Sequence, residues 1–443
     1  MGAFGRQQSS GDVDERGACS RVRTAWAHLT RLHHSAILSI IPLCFLGPVP
    51  AGGTTVLTRT RELTPLTSLA STAIGRPTSA DALPVEGHLP DDLRGCFLQS
   101  RPHPSRGAGA AFGGAELITG VRIGDGTARW YRAQAPGTCP SAGAVPAPAP
   151  WARPGAPGTR LLAQPVQDPA TCQWHTIATT AGSTVAEHLV IGRSGAASPA
   201  RSFSLGAPTL VTTLALTRDH LVVFDLSVVH DRAAELVGLR PPYSWRADKP
   251  ARIGLLPRNA EHAEPRWFPV APGFTSQAVN AFEEDGKVVV DAVRHDGAFD
   301  GGPAPRPHLG RWTLDLATGA VTERRLVEAV DTAGIDPAAC GRAHRYVHGT
   351  SGHTVFRHDL RTSTSQVHDL GAGRRGGRPV LVAGRTGDRL LVVAEDPGRR
   401  SSALLVFDAH DLAAGPCASI RLPGAFPAVD RTTWRSDEER SPW

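Results

Sequence analysis

The side chains best equipped for chemistry in this 443-residue chain are its 18 histidines and its scattered carboxylates. His344 and His348 stand four residues apart in GRAHRYVH. On a helix that spacing suits two metal ligands, but the surrounding residues read as strand, where the pair shares a face two steps apart. His353, His358 and His368 fall at expected turns and strand ends and read as surface groups. Asp225, in FDLSVV, reads as a turn or supporting acceptor rather than a catalytic base. No G-x-S-x-G, Walker loop or HExxH phrase occurs. Gly107, Gly109, Gly113 and Gly114 lack the strand–helix context of a phosphate loop. The seven cysteines are Cys19, Cys44, Cys96, Cys139, Cys172, Cys340 and Cys417. They form no CxxC and no zinc spacing, which points to a reducing compartment.

Composition narrows the class. Charged residues make up 20% and hydrophobic residues 41%, so the chain can bury a core. The net charge of +6 is carried almost wholly by arginine, since Lys249 and Lys287 are the only lysines. No basic stripe is interleaved with aromatics, so no nucleic-acid partner is expected. Arg374 and Arg375, flanked by glycines, read as a solvated turn.

Residues 1–82 differ in kind and read as an extension and linker. Residues 35–50 (SAILSIIPLCFLGPVP) form an apolar run broken by Pro42, Pro48 and Pro50, short for a membrane-spanning helix. A signal-peptide core is the other reading, although the polar lead before it is long for one. The expectation is a cytoplasmic, membrane-associated protein, with export through the 35–50 run as the alternative.

From Leu83 onward, short strands alternate with turn signals. Val121–Ala133 is a hairpin about Asp125-Gly126, and Gly310–Leu326 is a pair of strands about Thr318-Gly319. Leu221–Leu226, Lys287–Val293, Thr354–Leu360, Arg389–Asp396 and Ala403–Ala409 add further strands, with β-branched and aromatic residues suited to a pleated, half-buried surface. Asp231–Leu239 is the best helix candidate. Many strands at about ten-residue spacing, with no internal linker, favour one all-β propeller over residues 83–434. Residues 435–443 then form a tail. Pro146–Pro157 interrupts the pattern, because proline cannot serve a central ladder.

Six phrases in order carry a resemblance. Leu83–Pro104 holds V-x-G-x-L-P-x-D-L-x-G, followed by Ser-Arg-Pro-His-Pro in place of Asn-Gly-Pro-Asn-Pro. Ala111–Ala133 stands where a Gly-Asp-Gly-Met phrase leads into a hairpin. Leu214–Asn259 holds Y-x-W-x-x-x-K-P-A-R-I-G and L-P-R. Val279–Asp296, Gly341–His348 and Val355–Gly371 follow. The chain thereby resembles the carotenoid cleavage oxygenases over Leu83–Trp434. The resemblance implies a seven-bladed β-propeller with capping loops. It further implies a ferrous ion on the axis held by four histidines, and dioxygen-dependent cleavage of a carotenoid double bond reached through an apolar tunnel. It implies a structural role for His344. The segment Cys139–Leu161 replaces a longer stretch of the family, so one blade is expected to be incomplete.

The four iron-ligand positions implied by the resemblance hold no histidine here. They are Gln164 in LAQPVQDP, Thr212 in TTLALT, Gln277 in QAVNAFE and Arg431 in AVDRTTW. Ferrous iron prefers imidazole and carboxylate; amide and hydroxyl oxygens are weak ligands, and a guanidinium has no lone pair to give. No histidine lies within seven residues of any of the four, so a small shift of register does not restore the set. Of the carboxylates that orient the family's histidines, one matches Asp331 and another is replaced by Arg378.

The reading that follows is an iron-free member of the family that binds an apolar, carotenoid-like ligand and touches membranes peripherally. The alternative is an active dioxygenase with a rearranged metal site, for instance one using Asp331. A third reading is a chain that folds poorly.

Overall fold

The computed structural model describes residues 82–437 apart from 103–115, 135–159, 193–196, 239–241, 260–262, 299–304, 425 and 427–431. The protein is a β-propeller, and among the described residues it has six blades of antiparallel strands. In chain order, blade one comprises Arg160–Leu162 with Val166–Gln167, then Trp174–Thr180, Val185–Ile191 and Ala197–Ser204. Blade two comprises Leu214–Leu216, His220–Asp225, Ala251–Pro257 and Arg266–Val270. Blade three comprises Phe274–Glu284, Lys287–His295, His308–Asp315 and Val321–Val327. Blade four comprises Thr332–Gly334, Tyr346–Ser351, Thr354–Asp359 and Thr364–Asp369.

Blades five and six share the two ends of the fold. In blade five, Arg375–Gly376 and Val380–Val382 pair with Arg389–Asp396, followed by Ser401–Asp408 and Pro416–Arg421. Val85–Gly87 then adds as its outermost strand. In blade six, the late strand Thr432–Ser436 pairs with the early strand Gly95–Pro102, followed by Glu116–Gly124 and Thr127–Gln134. Two pairings between early and late chain therefore close the ring. The Pro/Ala-rich interruption lies outside the described residues.

The alternating sequence patterns become these strands because each presents one apolar face to the neighbouring blade. Val222, Phe224, Ile253, Leu255 and Phe268 of blade two pack on Val288, Val290, Trp312 and Leu314 of blade three. Similar layers join blades one and two, through Ile177, Phe203, Leu221 and Leu256, and blades five and six, through Phe97, Val121, Leu391 and Val406. Fully burying each such side chain contributes about 1.5–3 kcal/mol.

The hairpin at Asp125-Gly126 is as the sequence predicts: both residues have positive φ, 53° and 66°, as a two-residue turn of this hand requires. The Gly310–Leu326 pair forms with Gly319 at φ 77° in its turn. The helix is shorter than expected, Arg232–Leu236, with the Asp231 carboxylate accepting from Ala234 N at 3.0 Å. It sits between Val228–His230 and Tyr243–Trp245, a two-stranded ribbon inserted in blade two.

Two local expectations are corrected. His344 precedes the strand Tyr346–Ser351, so it shares no strand face with His348. Arg375 is not turn but strand: its pairing with Glu395 ends the ladder that Gly376 and Ala394 continue.

Candidate functional site

The first strands of consecutive blades touch one another: Val166–Gln167 with Leu214–Leu216, that strand with Phe274–Glu284, and the latter with Thr332–Gly334. They are the innermost strands, and the predicted positions lie on or beside them. Gln164 follows the first strand of blade one, and its backbone N donates to the Thr212 carbonyl at 2.8 Å. The Thr212 hydroxyl donates to the Thr275 carbonyl at 2.7 Å. Its neighbour Thr213 accepts from Ala278 N at 3.0 Å. Gln277 is buried, 3% exposed. Its amide nitrogen donates to the Ala333 carbonyl at 2.6 Å, and its amide oxygen accepts from Ala333 N at 3.1 Å.

Asp331 opens the first strand of blade four but is exposed, its carboxylate accepting from Gly352 N at 2.5 Å. Arg378 is half-buried beside that strand: its Nε lies 3.7 Å from where a Cβ on Gly334 would stand. The Arg378 carbonyl accepts from the Thr432 hydroxyl at 3.1 Å. Arg431, next to Thr432, lies outside the described residues. The structure thus brings Gln164, Thr212 and Gln277 together on or beside adjoining innermost strands, with Arg378 on the far side of blade four. It does not bring the Asp331 carboxylate to Gln277, whose amide is engaged with Ala333.

Sequence reasoning missed Thr213 and Asn280. Asn280 Nδ2 donates to the carbonyls of Arg342, at 2.8 Å, and Ala339, at 3.3 Å. Its Oδ1 accepts from Gly341 N at 3.1 Å. The asparagine in the NAFE phrase was the available signal, since a buried amide must find partners.

The histidines form separate buried groups. His175 Nδ1 and His188 Nε2 are 3.0 Å apart. Burial lowers these two to about 4 and about 3, so both are neutral. Burial likewise lowers His348 to about 4. His344 Nδ1 is 3.0 Å from Asn280 Nδ2, and its Nε2 lies 3.2 Å from Asp291, which Arg311 grips with two contacts of 2.7 Å. His353 is exposed and His368 half-buried against Phe407. His358 is not a surface group: it is 5% exposed and bonded to Ser365, across the hairpin, at 2.9 Å. Among the described residues, no three His, Cys, Asp or Glu side chains are grouped to hold a metal ion.

Asp225 is fully buried, and its carboxylate meets Lys249 Nζ at 2.6 Å, Arg252 Nε at 2.8 Å, Thr209 Oγ1 at 2.6 Å and Gly206 N at 2.7 Å. Against its own desolvation, Lys249 above all holds this carboxyl below the usual carboxylate range. It is a structural hub, as expected of an acceptor rather than a base. The KPAR phrase supplies both of its cations. Arg258, from LPR, similarly pairs with Asp168 of blade one.

Comparison with known proteins sets this geometry in context. The family model described as retinal pigment epithelial membrane protein matches residues 148–434, well over half of the chain. The chain belongs to the carotenoid oxygenase family. Within it, the chain is 26% identical to a carotenoid cleavage oxygenase of Mycobacterium tuberculosis over 82% of its own length and 95% of the relative's. It is 27% identical to the apocarotenoid-15,15'-oxygenase of Synechocystis over half of each chain. The crystal structure of the lignostilbene dioxygenase of Pseudomonas brassicacearum superposes with a TM-score of 0.69 at 20% identity, over 82% of this chain and 96% of that one.

The donors at Thr212 and Gln277 do not fit the ferrous ion that the family resemblance implies. Gln277 has both ends of its amide engaged, the Thr212 proton is given to a backbone carbonyl, and neither group is an imidazole or carboxylate.

Proposed function

We propose that this carotenoid-oxygenase-family protein binds an apolar isoprenoid, of carotenoid or apocarotenoid type, and does not cleave it by iron chemistry. The observation that carries the reading is the engagement of Gln277 and Thr212 with backbone at two of the four positions where the family resemblance places histidine. The names of the relatives support the ligand class, since one is a carotenoid cleavage oxygenase and the other an apocarotenoid-15,15'-oxygenase. Peripheral contact with a membrane would deliver a ligand of this solubility.

The test uses the purified full-length chain. Metal analysis is expected to find well under one iron per chain. Titration with an apocarotenal is expected to quench tryptophan fluorescence saturably, while its visible absorbance stays constant in air with added ferrous iron. One tightly held iron per chain, or bleaching of the apocarotenal, would sink this reading in favour of a rearranged metal site.

A further inference from the structure

The innermost strand of blade three is irregular where the predicted positions fall. Its pairing with Lys287–His295 shifts register between Thr275 and Gln277 and again between Ala278 and Asn280. A bulge disrupts the local ladder and leaves backbone groups in need of other partners. Two of those groups are met from blade two: Thr212 donates to the Thr275 carbonyl, and Thr213 accepts from Ala278 N. On the other side, Gln277 imitates a peptide unit, giving one N–H to Ala333 and taking one back. Gln164 N adds the link to the Thr212 carbonyl.

We propose that three of the positions matching the family's iron ligands, Gln164, Thr212 and Gln277, have become a hydrogen-bonded belt, which ties the innermost strands of blades one to four to one another without metal. This rests on the reading of those positions given above. In the family the resemblance implies an ion bound from several blades at once, which cross-links them. Here the same places carry direct blade-to-blade bonds, and at Gln277 the bond is buried, where leaving either Ala333 group unpaired is costly. The belt also explains why glutamine serves at Gln277. A glutamate could accept from Ala333 N but could not donate to its carbonyl, and a histidine could not do both at this spacing.

Thermal melting and hydrogen–deuterium exchange of the full chain test the belt. The melting temperature is expected to be unchanged by EDTA or by ferrous iron. Gln277→Glu is expected to lower it by at least about 3 °C and to speed deuterium uptake around residue 333 by about tenfold. Should that variant not fold, Thr212→Val removes only the hydroxyl, and uptake around residues 273–279 is expected to rise. Unchanged uptake in both variants overturns the belt alone and leaves the ligand-binding reading standing. A melting temperature that falls with EDTA overturns both.

Discussion

Lys249 and Asp225 form an ion pair at 2.6 Å whose carboxylate has no exposure to solvent. The pair joins the strand His220–Asp225 to the turn before Ala251–Pro257, and Lys249 also donates to the carbonyl of Leu226 at 2.8 Å. A buried carboxylate with one cation removed is left under-compensated. Lys249→Ala is therefore expected to destabilise the protein by about 3–5 kcal/mol, read as a fall in the urea midpoint with unchanged slope. A change below about 1 kcal/mol would show that Arg252 alone neutralises the site.

The buried histidines predict acid sensitivity. His175, His188 and His348 are held neutral by burial, at about 4, about 3 and about 4, against an ordinary value of 6.5. Because the unfolded chain takes up these protons first, their stabilisation is full above pH 6.5 and is lost as pH falls from there toward 4. Each is expected to remove on the order of 1–2 kcal/mol by pH 5. His348→Phe keeps a buried ring and abolishes one of these titrations, so its melting temperature should fall less steeply than the parent's between pH 7 and 5. Parallel curves would refute the assignment.

Asn280 fixes the segment from Ala339 to Arg342 through three hydrogen bonds. Asn280→Ala is expected to release it, and trypsin should then cut after Arg342 several-fold faster in the folded protein. Equal cleavage rates would mean that the neighbouring Asp291–His344 contact holds the segment by itself.

Arg258 reaches from blade two to Asp168 in blade one, and its Nη1 donates to the Thr217 carbonyl at 3.0 Å. Arg258→Lys keeps the charge but cannot form both contacts. We expect a loss of about 1–3 kcal/mol in stability, without change in ligand affinity. A weakened affinity would place this pair closer to the ligand than the geometry indicates.

Period-two patterning made most strands legible, because each blade buries one face of every strand. The Asp125-Gly126 turn was legible for the same local reason: few residues tolerate two consecutive positive φ angles. What the sequence could not convey was contact between side chains of different strands and loops. His358 looked like a strand-end surface group, yet Ser365 on the next strand encloses it. His344 looked like strand, yet Asn280, 64 residues earlier, draws it into a loop. Gln277 and Thr212 were singled out because histidine is missing there; that their polar atoms are engaged with Ala333 and Thr275 is a tertiary fact with no local signature.

The paired closure of the ring has a consequence for synthesis. Strand Gly95–Pro102 is made early, but its partner Thr432–Ser436 emerges more than 300 residues later, and Val85–Gly87 must wait for Pro416–Arg421. Until then the nascent chain carries two open sheet edges, the kind of surface on which chains aggregate. Synthesis of the stretch 432–436 therefore converts a sticky intermediate into a closed ring, and a ribosome stalled before residue 432 would release a protein with its seam undone.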